Sequence, residues 1–430
     1  MYAIDWAGLL TRPARIGQPA PREVRGGRFR SLVPVVHRTV WALGITSLLT
    51  DVSSEMVASI LPMYLVMELG MRPLAFGIID GMYQGVAALV RVAAGIFSDR
   101  RSRYKEAAAS GYALSALCRV ALLAVGAAPA AIAAIVAVDR IGKGVRTAPR
   151  DALISLRSKS DQLATAFGVH RSLDAAGAML GPLLAFALLA AMPSRFDVLF
   201  AVSFAVALAG LGVILLCVEP ASLESGSARA ALPWRAALDT AATPQLRRIL
   251  IAGFVLGLPT ISDGFIFLSL QRQLHIGASA FPLFYVGTSL LTALFAVPMG
   301  RLADRTGRTI VLLGGHVLLA LLYIALLRPS IGPALAVASI ALLGAYYAAT
   351  DGVLTAAAAA VLPKSLSGSG LSFLATSTNV SRLLASVFFG LLWQRFDIHT
   401  ATTVFLAGLV LSIATAAVVL RGGRGVSQAA

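Results

Sequence analysis

Charge is scarce in this 430-residue chain. Asp, Glu, Lys and Arg make up 13% of it, where soluble domains carry about 25%. Hydrophobic residues make up 58%, and the mean hydropathy is +0.82, so most of the chain reads as embedded in lipid. Cysteine is almost missing. Cys118 and Cys217 both sit in apolar runs, which excludes a disulfide framework and offers no metal cluster. Lysine occurs only at Lys105, Lys143, Lys159 and Lys364. The sequence contains no H-E-x-x-H, no G-x-S-x-G and no P-loop, so a zinc hydrolase, a serine hydrolase and an ATP-driven machine are all unsupported. No loop is long enough for a soluble signalling domain, which argues against a membrane sensor. The expectation is a non-enzyme with no metal and no cofactor.

Long apolar runs are what the chain has in quantity. Stretches of about 20 apolar residues span a bilayer as helices. They fall near 40–68, 74–98, 106–127, 130–155, 162–191, 197–218, 247–273, 279–302, 309–328, 333–361, 368–394 and 399–420. The net charge of +16 sits in the links between these runs, so it reads as a topology signal rather than a nucleic-acid site. Arg100, Arg103, Lys105, Arg157, Lys159, Arg247, Arg248, Arg301, Arg305, Arg308, Arg421 and Arg424 share a side with the arginine-rich residues 1–38. The other side carries single arginines at 72, 195, 272, 328 and 395. The positive-inside rule then places both termini in the cytoplasm of a multi-pass cell-membrane protein. The basic tail lacks a signal-peptide core and cleavage site, and the first span reads as an uncleaved anchor. Residues 219–246, with Pro and a Ser/Gly run, read as a connector. The expected organisation is a tail over 1–38, a six-helix bundle over 39–218, the linker, a second bundle over 247–420 and a tail over 421–430.

One pattern organises these spans. Gly95-Ile-Phe-Ser-Asp-Arg-Arg-Ser-Arg103 returns as Gly300-Arg-Leu-Ala-Asp-Arg-Thr-Gly-Arg308, each reading G-x-x-x-D-R-x-x-R and each following the second span of its half. Arg195-Phe-Asp197 recurs as Arg395-Phe-Asp397, and Gly144-Val-x-Thr-Ala148 as Gly352-Val-x-Thr-Ala356. Such repeats put a substrate site near the midplane, between the halves. The nine-residue pattern resembles motif A of the major facilitator superfamily, with Ser102 where the family has Gly. The resemblance implies an all-α membrane fold of twelve transmembrane helices in two pseudo-symmetric six-helix bundles. It implies a monomeric secondary transporter of a small molecule, driven by protons through alternating access. It also implies a gating role for Gly95, Asp99, Arg100 and Arg103, and for Gly300, Asp304, Arg305 and Arg308, with Asp99 facing the start of the eleventh span near Ser365–Ser369. Arg140-Ile-Gly-Lys-Gly144 resembles motif B, linked in the family to proton transfer, with Lys143 where Gln is common. Gly177-Ala-Met-Leu-Gly181-Pro182 resembles motif C, which the family associates with antiporting exporters. Read without the resemblance, its two glycines form a small-xxx-small face for helix packing. Export by antiport is the reading, with symport of an organic anion or other small solute as the alternative.

Ionisable residues at membrane depth are expensive and need partners or a wet cavity. The first half is rich in them. Asp51 and Glu55 are four apart, on one face of the first span. Asp139, Lys143, Arg146 and Arg150 fall within one stripe of the fourth, with Arg140 on a neighbouring face. Arg171, Asp174 and, at its edge, His170 share a face of the fifth, and Asp80, Arg91 and Arg119 add to the set. Two readings stand: ion pairs that hold the bundle, or a transport centre in which Asp51, Glu55 and Arg140 respond to protons. The second half offers Asp263, Asp351, Asn379 and Arg382, with Phe265, Phe267 and Trp393 as cavity or packing residues. His316 reads as a packing histidine.

Overall fold

The computed structural model describes residues 36–101, 103–126, 128–158, 162–219, 243–362 and 367–421. Among them the ordered structure is helical. Twelve spans follow in chain order, and we number their helices accordingly: α1 (Arg38–Ala58), α2 (Pro73–Arg101), α3 (Tyr104–Ala124), α4 (Pro129–Leu156), α5 (Leu163–Ala191), α6 (Phe196–Cys217), α7a (Pro244–Gly257) with α7b (Asp263–Leu274), α8 (Pro282–Thr306), α9 (Arg308–Leu326), α10 (Pro333–Ala359), α11 (Ser367–Arg395) and α12 (Ile398–Arg421). Seven of these spans are long and apolar enough to cross a membrane on composition alone. The other five explain themselves physically. Spans one and seven are broken, α4 carries four buried charges, α2 holds Asp80, Arg91, Asp99, Arg100 and Arg101 in its sequence, and α11 is rich in Ser and Thr.

Where sequence reasoning drew one unbroken first span, the structure has a break. The α-helix stops at Ala58, resumes for one turn at Leu61–Met63 and ends in a π-helical turn, Tyr64–Glu68. Pro62 is the cause, because it removes a donor and its ring crowds the preceding turn. Span seven breaks at Leu258–Ser262, around Pro259. The backbone groups freed there are taken up by one side chain. The Tyr323 hydroxyl on α9 donates to the Pro259 carbonyl (3.0 Å) and accepts from the Ile261 N–H (2.7 Å).

The two bundles meet along two lines. One is α2 against α11, the other α5 against α8. The α2–α11 seam is nearly backbone on backbone. A Cβ at Gly77 would fall 2.5 Å from the Ser386 carbonyl oxygen, and one at Gly390 would fall 2.5 Å from that of Pro73. This seam lies towards the end of the bundle opposite Arg38 and Arg421. An aromatic plug joins the halves there. Phe76 of α2 meets Phe265 of α7b edge-on at 4.7 Å, and Phe265 meets Phe389 and Trp393 of α11 at 4.8 and 5.5 Å. Arg272 lies over the Trp393 ring at 4.9 Å, a cation–π contact at the same end. At the other end Glu219, just past α6, pairs with Arg38 and lies 3.8 Å from Arg157.

Candidate transport pathway

The first-half charges separate into two clusters. In one, Asp139 is clamped from both sides. Arg119 reaches one carboxylate oxygen at 3.1 Å, and the Arg140 guanidinium holds the other through Nε at 3.1 Å and through Nη2. Arg119 also donates to Ser54 at 3.1 Å, and Arg140 lies 3.8 Å over the Tyr83 ring. Asp139 and both arginines are buried. In the other cluster, Arg146 bonds Ser115 at 3.0 Å and lies 3.9 Å from Asp51. Arg150 donates to Ser47 at 3.0 Å and to Asp151 at 3.1 Å. Asp174 accepts from Ser47 at 2.7 Å and has Arg171 at 3.5 Å. Asp51 of α1 and Asp174 of α5 sit at the same helix contact, where a Cβ on Gly177, one turn after Asp174, would lie 3.1 Å from the Asp51 Cβ. His170 is fully buried beside this cluster, and neither ring nitrogen has a hydrogen-bond partner.

These contacts change two expectations. The nearest cation to Asp51 is Arg146, whereas Arg140 is committed to Asp139. The single stripe on α4 also divides. Arg146 and Arg150 turn towards α1, α3 and α5, while Lys143 faces the space between the halves. A 100° step per residue groups these positions, but the crossing of three neighbouring helices decides which partner each one meets.

That space is a cavity of about 550 Å³ on the side of the α2–α11 seam nearer Arg38 and Arg421. Lys143, Gly144 and Thr147 of α4 and Gln84 of α2 line it from the first half, and His316, Tyr346, Asp351, Asn379 and Arg382 from the second. Arg382 donates to Asp351 at 3.1 Å. A side pocket of about 230 Å³ shares Gln84, Asp351 and Arg382 with it and reaches Asp263, Tyr285, Thr288 and Tyr347. There the Tyr347 hydroxyl donates to Asp263 at 2.5 Å. Asp80 accepts from Ser386 across the seam at 2.5 Å.

The family profile described as Major Facilitator Superfamily matches residues 43–285 and 249–427. This chain belongs to the Major Facilitator Superfamily. It is 27% identical over 385 residues to an uncharacterized MFS-type transporter of Methanocaldococcus jannaschii, covering 88% of this chain and 93% of that protein. It is 34% identical over 153 residues to an uncharacterized protein of Mycobacterium tuberculosis, covering 36% of this chain and 37% of the relative. Its fold is similar to the crystal structure of the nucleoside transporter NupG, with a TM-score of 0.74 at 15% identity over 89% of this chain and 99% of that one. It is also similar to a POT family transporter in complex with a thioalcohol-conjugated peptide, with a TM-score of 0.72 at 14% identity over 89% and 95%. The protein is thus a non-enzymatic membrane transporter of the superfamily type.

Within that family frame the remaining motif residues can be placed. Gly177 and Gly181 of motif C face α1. A Cβ on Gly177 would lie 2.5 Å from the Leu48 carbonyl oxygen, and one on Gly181 would lie 2.8 Å from the Met56 nitrogen. Pro182 is buried within α5, which continues through it. In the second motif A, Asp304 and Arg305 are exposed on the last turns of α8, and Gly300 has nothing packed against it. Arg308 donates to the Ala356 carbonyl at 3.1 Å. Gly307, at φ +101°, makes the turn into α9, a conformation that L side chains avoid. Gly95 lies in α2 and Arg103 is exposed at the start of α3. The side chains of Asp99 and Arg100, and residues 363–366 ahead of α11, lie outside the described residues.

Gln84 of α2, Tyr285, Thr288, Ser289 and Thr292 of α8, and Thr260 and Ser262 at the break in span seven line the side pocket without having been singled out by the sequence. A signal for the first existed. Asp80, Gln84 and Ala87 recur at helical spacing on α2, but a polar residue in an otherwise apolar span was not read as part of a face.

Proposed function

We propose that the protein exports a small molecule in exchange for protons, by alternating access, with both chain ends in the cytoplasm. The observation that carries this reading is the cavity between the halves, closed at one end by the α2–α11 seam and the aromatic plug, with Lys143 on its wall one turn from Arg146, which lies 3.9 Å from Asp51. In this reading the structure faces the cytoplasm. Asp51 and Asp174 hold one proton between them, because neighbouring carboxylates disfavour joint ionisation. Arg146, Arg150 and Lys143 set the balance. A substrate at Lys143 alters the field on Asp51 and releases the proton, and reopening towards the far side reloads it. Asp139, Arg119 and Arg140 act as the fixed frame against which this pair moves. The motif C resemblance supports exchange over symport.

The test is flux in proteoliposomes under an imposed pH gradient, across anionic, neutral, cationic and amphoteric compounds. The expected result is substrate movement opposite to the protons. Asp51→Asn abolishes gradient-driven accumulation while substrate–substrate exchange persists. Accumulation at the normal rate in Asp51→Asn moves the coupling role elsewhere, and movement of substrate with the protons makes the protein a symporter.

A further inference from the structure

The internal repeat and the two joined cavities together bear on the substrate. Aligning Gly144-Val-x-Thr-Ala148 with Gly352-Val-x-Thr-Ala356 sets Lys143 opposite Asp351. Equivalent positions of the two halves thus carry opposite charges, and both line the same 550 Å³ cavity. They are not equivalent in their surroundings. Asp351 is held by Arg382, which neutralises it locally. Among the described residues Lys143 has no carboxylate within ion-pair distance, so its charge acts on Asp51 only through space and is not neutralised by a direct partner at the cavity wall.

The side pocket has the opposite character. Among the described residues Asp263 accepts from the Tyr347 hydroxyl and Asp80 from that of Ser386, while Arg382, which also lines the pocket, is bonded to Asp351. Neither has a cationic side chain within ion-pair distance among the described residues. Tyr285 and Tyr347 line it together with Asp263, and aromatic rings attract ammonium groups. A carboxylate without a paired cation, beside two phenols, matches a protonated amine.

We propose that the pathway takes an amphoteric small molecule, with its anionic group at Lys143 and its protonated amine in the side pocket at Asp263. This rests on reading the cavity as the transport pathway. One molecule bridging the two sites contacts both halves at once, and its opposite charges meet the half that carries each complement.

The electrostatic assignment is tested without knowing the substrate. Single cysteines are placed in the full chain at Thr288→Cys in the side pocket and at Thr147→Cys beside Lys143, with Cys118→Ala and Cys217→Ala as background. The purified protein is labelled with a trimethylammonium-ethyl and a sulfonatoethyl methanethiosulfonate, and each rate is divided by that of a free thiol. Thr288→Cys is expected to favour the cation by roughly tenfold or more, and Thr147→Cys the anion by a similar factor, the scale of charge focusing in a low-dielectric cleft. Adding Asp263→Asn brings the first ratio towards one and leaves the second unchanged. Ser289→Cys, on the same pocket, replaces Thr288→Cys if that protein is not monodisperse. Preference for one sign at both sites, indifference to Asp263→Asn, or a pocket thiol that reacts with neither reagent overturns the assignment. The readout needs no gradient and no flux. Failed flux with intact charge selectivity therefore sinks the transport reading alone, and normal flux without selectivity sinks only this inference.

Discussion

Two aspartate–arginine pairs, one in each half, show how the same chemistry does different work. Asp139 on α4 has two arginines, and the pair side chains are 3–5% exposed. Asp351 on α10 has one arginine at 3.1 Å, and its pair is 24–28% exposed at the cavity wall. The first is sealed among four helices and cannot change partner without unpacking them. The second is open to whatever occupies the cavity. Burial and partner number, not residue type, separate the two pairs.

The comparison breaks or holds on parallel substitutions. Asp139→Ala has the largest expected effect. It strands two buried guanidiniums, and breaking a buried ion pair costs about 3–5 kcal/mol. Membrane yield and the unfolding temperature in detergent should both fall sharply, and an unchanged melting temperature would end its reading as a strut. Gly390→Ala comes next. Its new Cβ meets the Pro73 carbonyl oxygen, and overpacking costs about 1–3 kcal/mol. The α2–α11 seam should be propped open, raising the reactivity of a Ser386→Cys thiol from the far side. Asp351→Asn should leave the melting temperature in place yet lower gradient-driven flux by roughly tenfold, equivalent to about 1.4 kcal/mol. A matching loss of folded protein would make it a second strut. Asp304→Asn is the smallest. Its site is exposed, so stability should shift by no more than about 0.5 kcal/mol, as chemical denaturation in detergent would show.

The fold was largely legible because its signal is one-dimensional. Apolar length, arginine asymmetry and a repeated loop pattern do not depend on which helix neighbours which. The bend at Pro259 has a signal of the same kind, a proline inside an apolar run. The break at Pro62 was overlooked because apolar residues continue across it. The site was legible by residue type and only partly by partner. Asp51, Glu55 and Arg140 are each positioned on helices that meet, yet Arg140 belongs to Asp139 and Asp51 turns to Arg146 and Asp174. Residues one turn apart on α4 face different helices, and only the packing angles assign them. Tyr285 and Thr288 were illegible because an aromatic and a hydroxyl in an apolar run look the same whether they face lipid or a pocket.

Tyr323 ends up with a mechanical role. Its hydroxyl splices the helix ladder where span seven is cut, standing in for the amide and carbonyl that the break leaves without helical partners. A helix bent this way has protein partners for two of its joint's backbone groups, while Thr260, Ile261 and Ser262 of the joint line the side pocket and α7b carries Phe265 into the plug. The splice is anchored on α9, outside both. Any swing of α7b relative to α7a must therefore stretch the phenol's two bonds or carry α9 along. A helix with no residue in the plug is thus tied to the joint that positions it, and a distance probe on α9 tests whether the two move together.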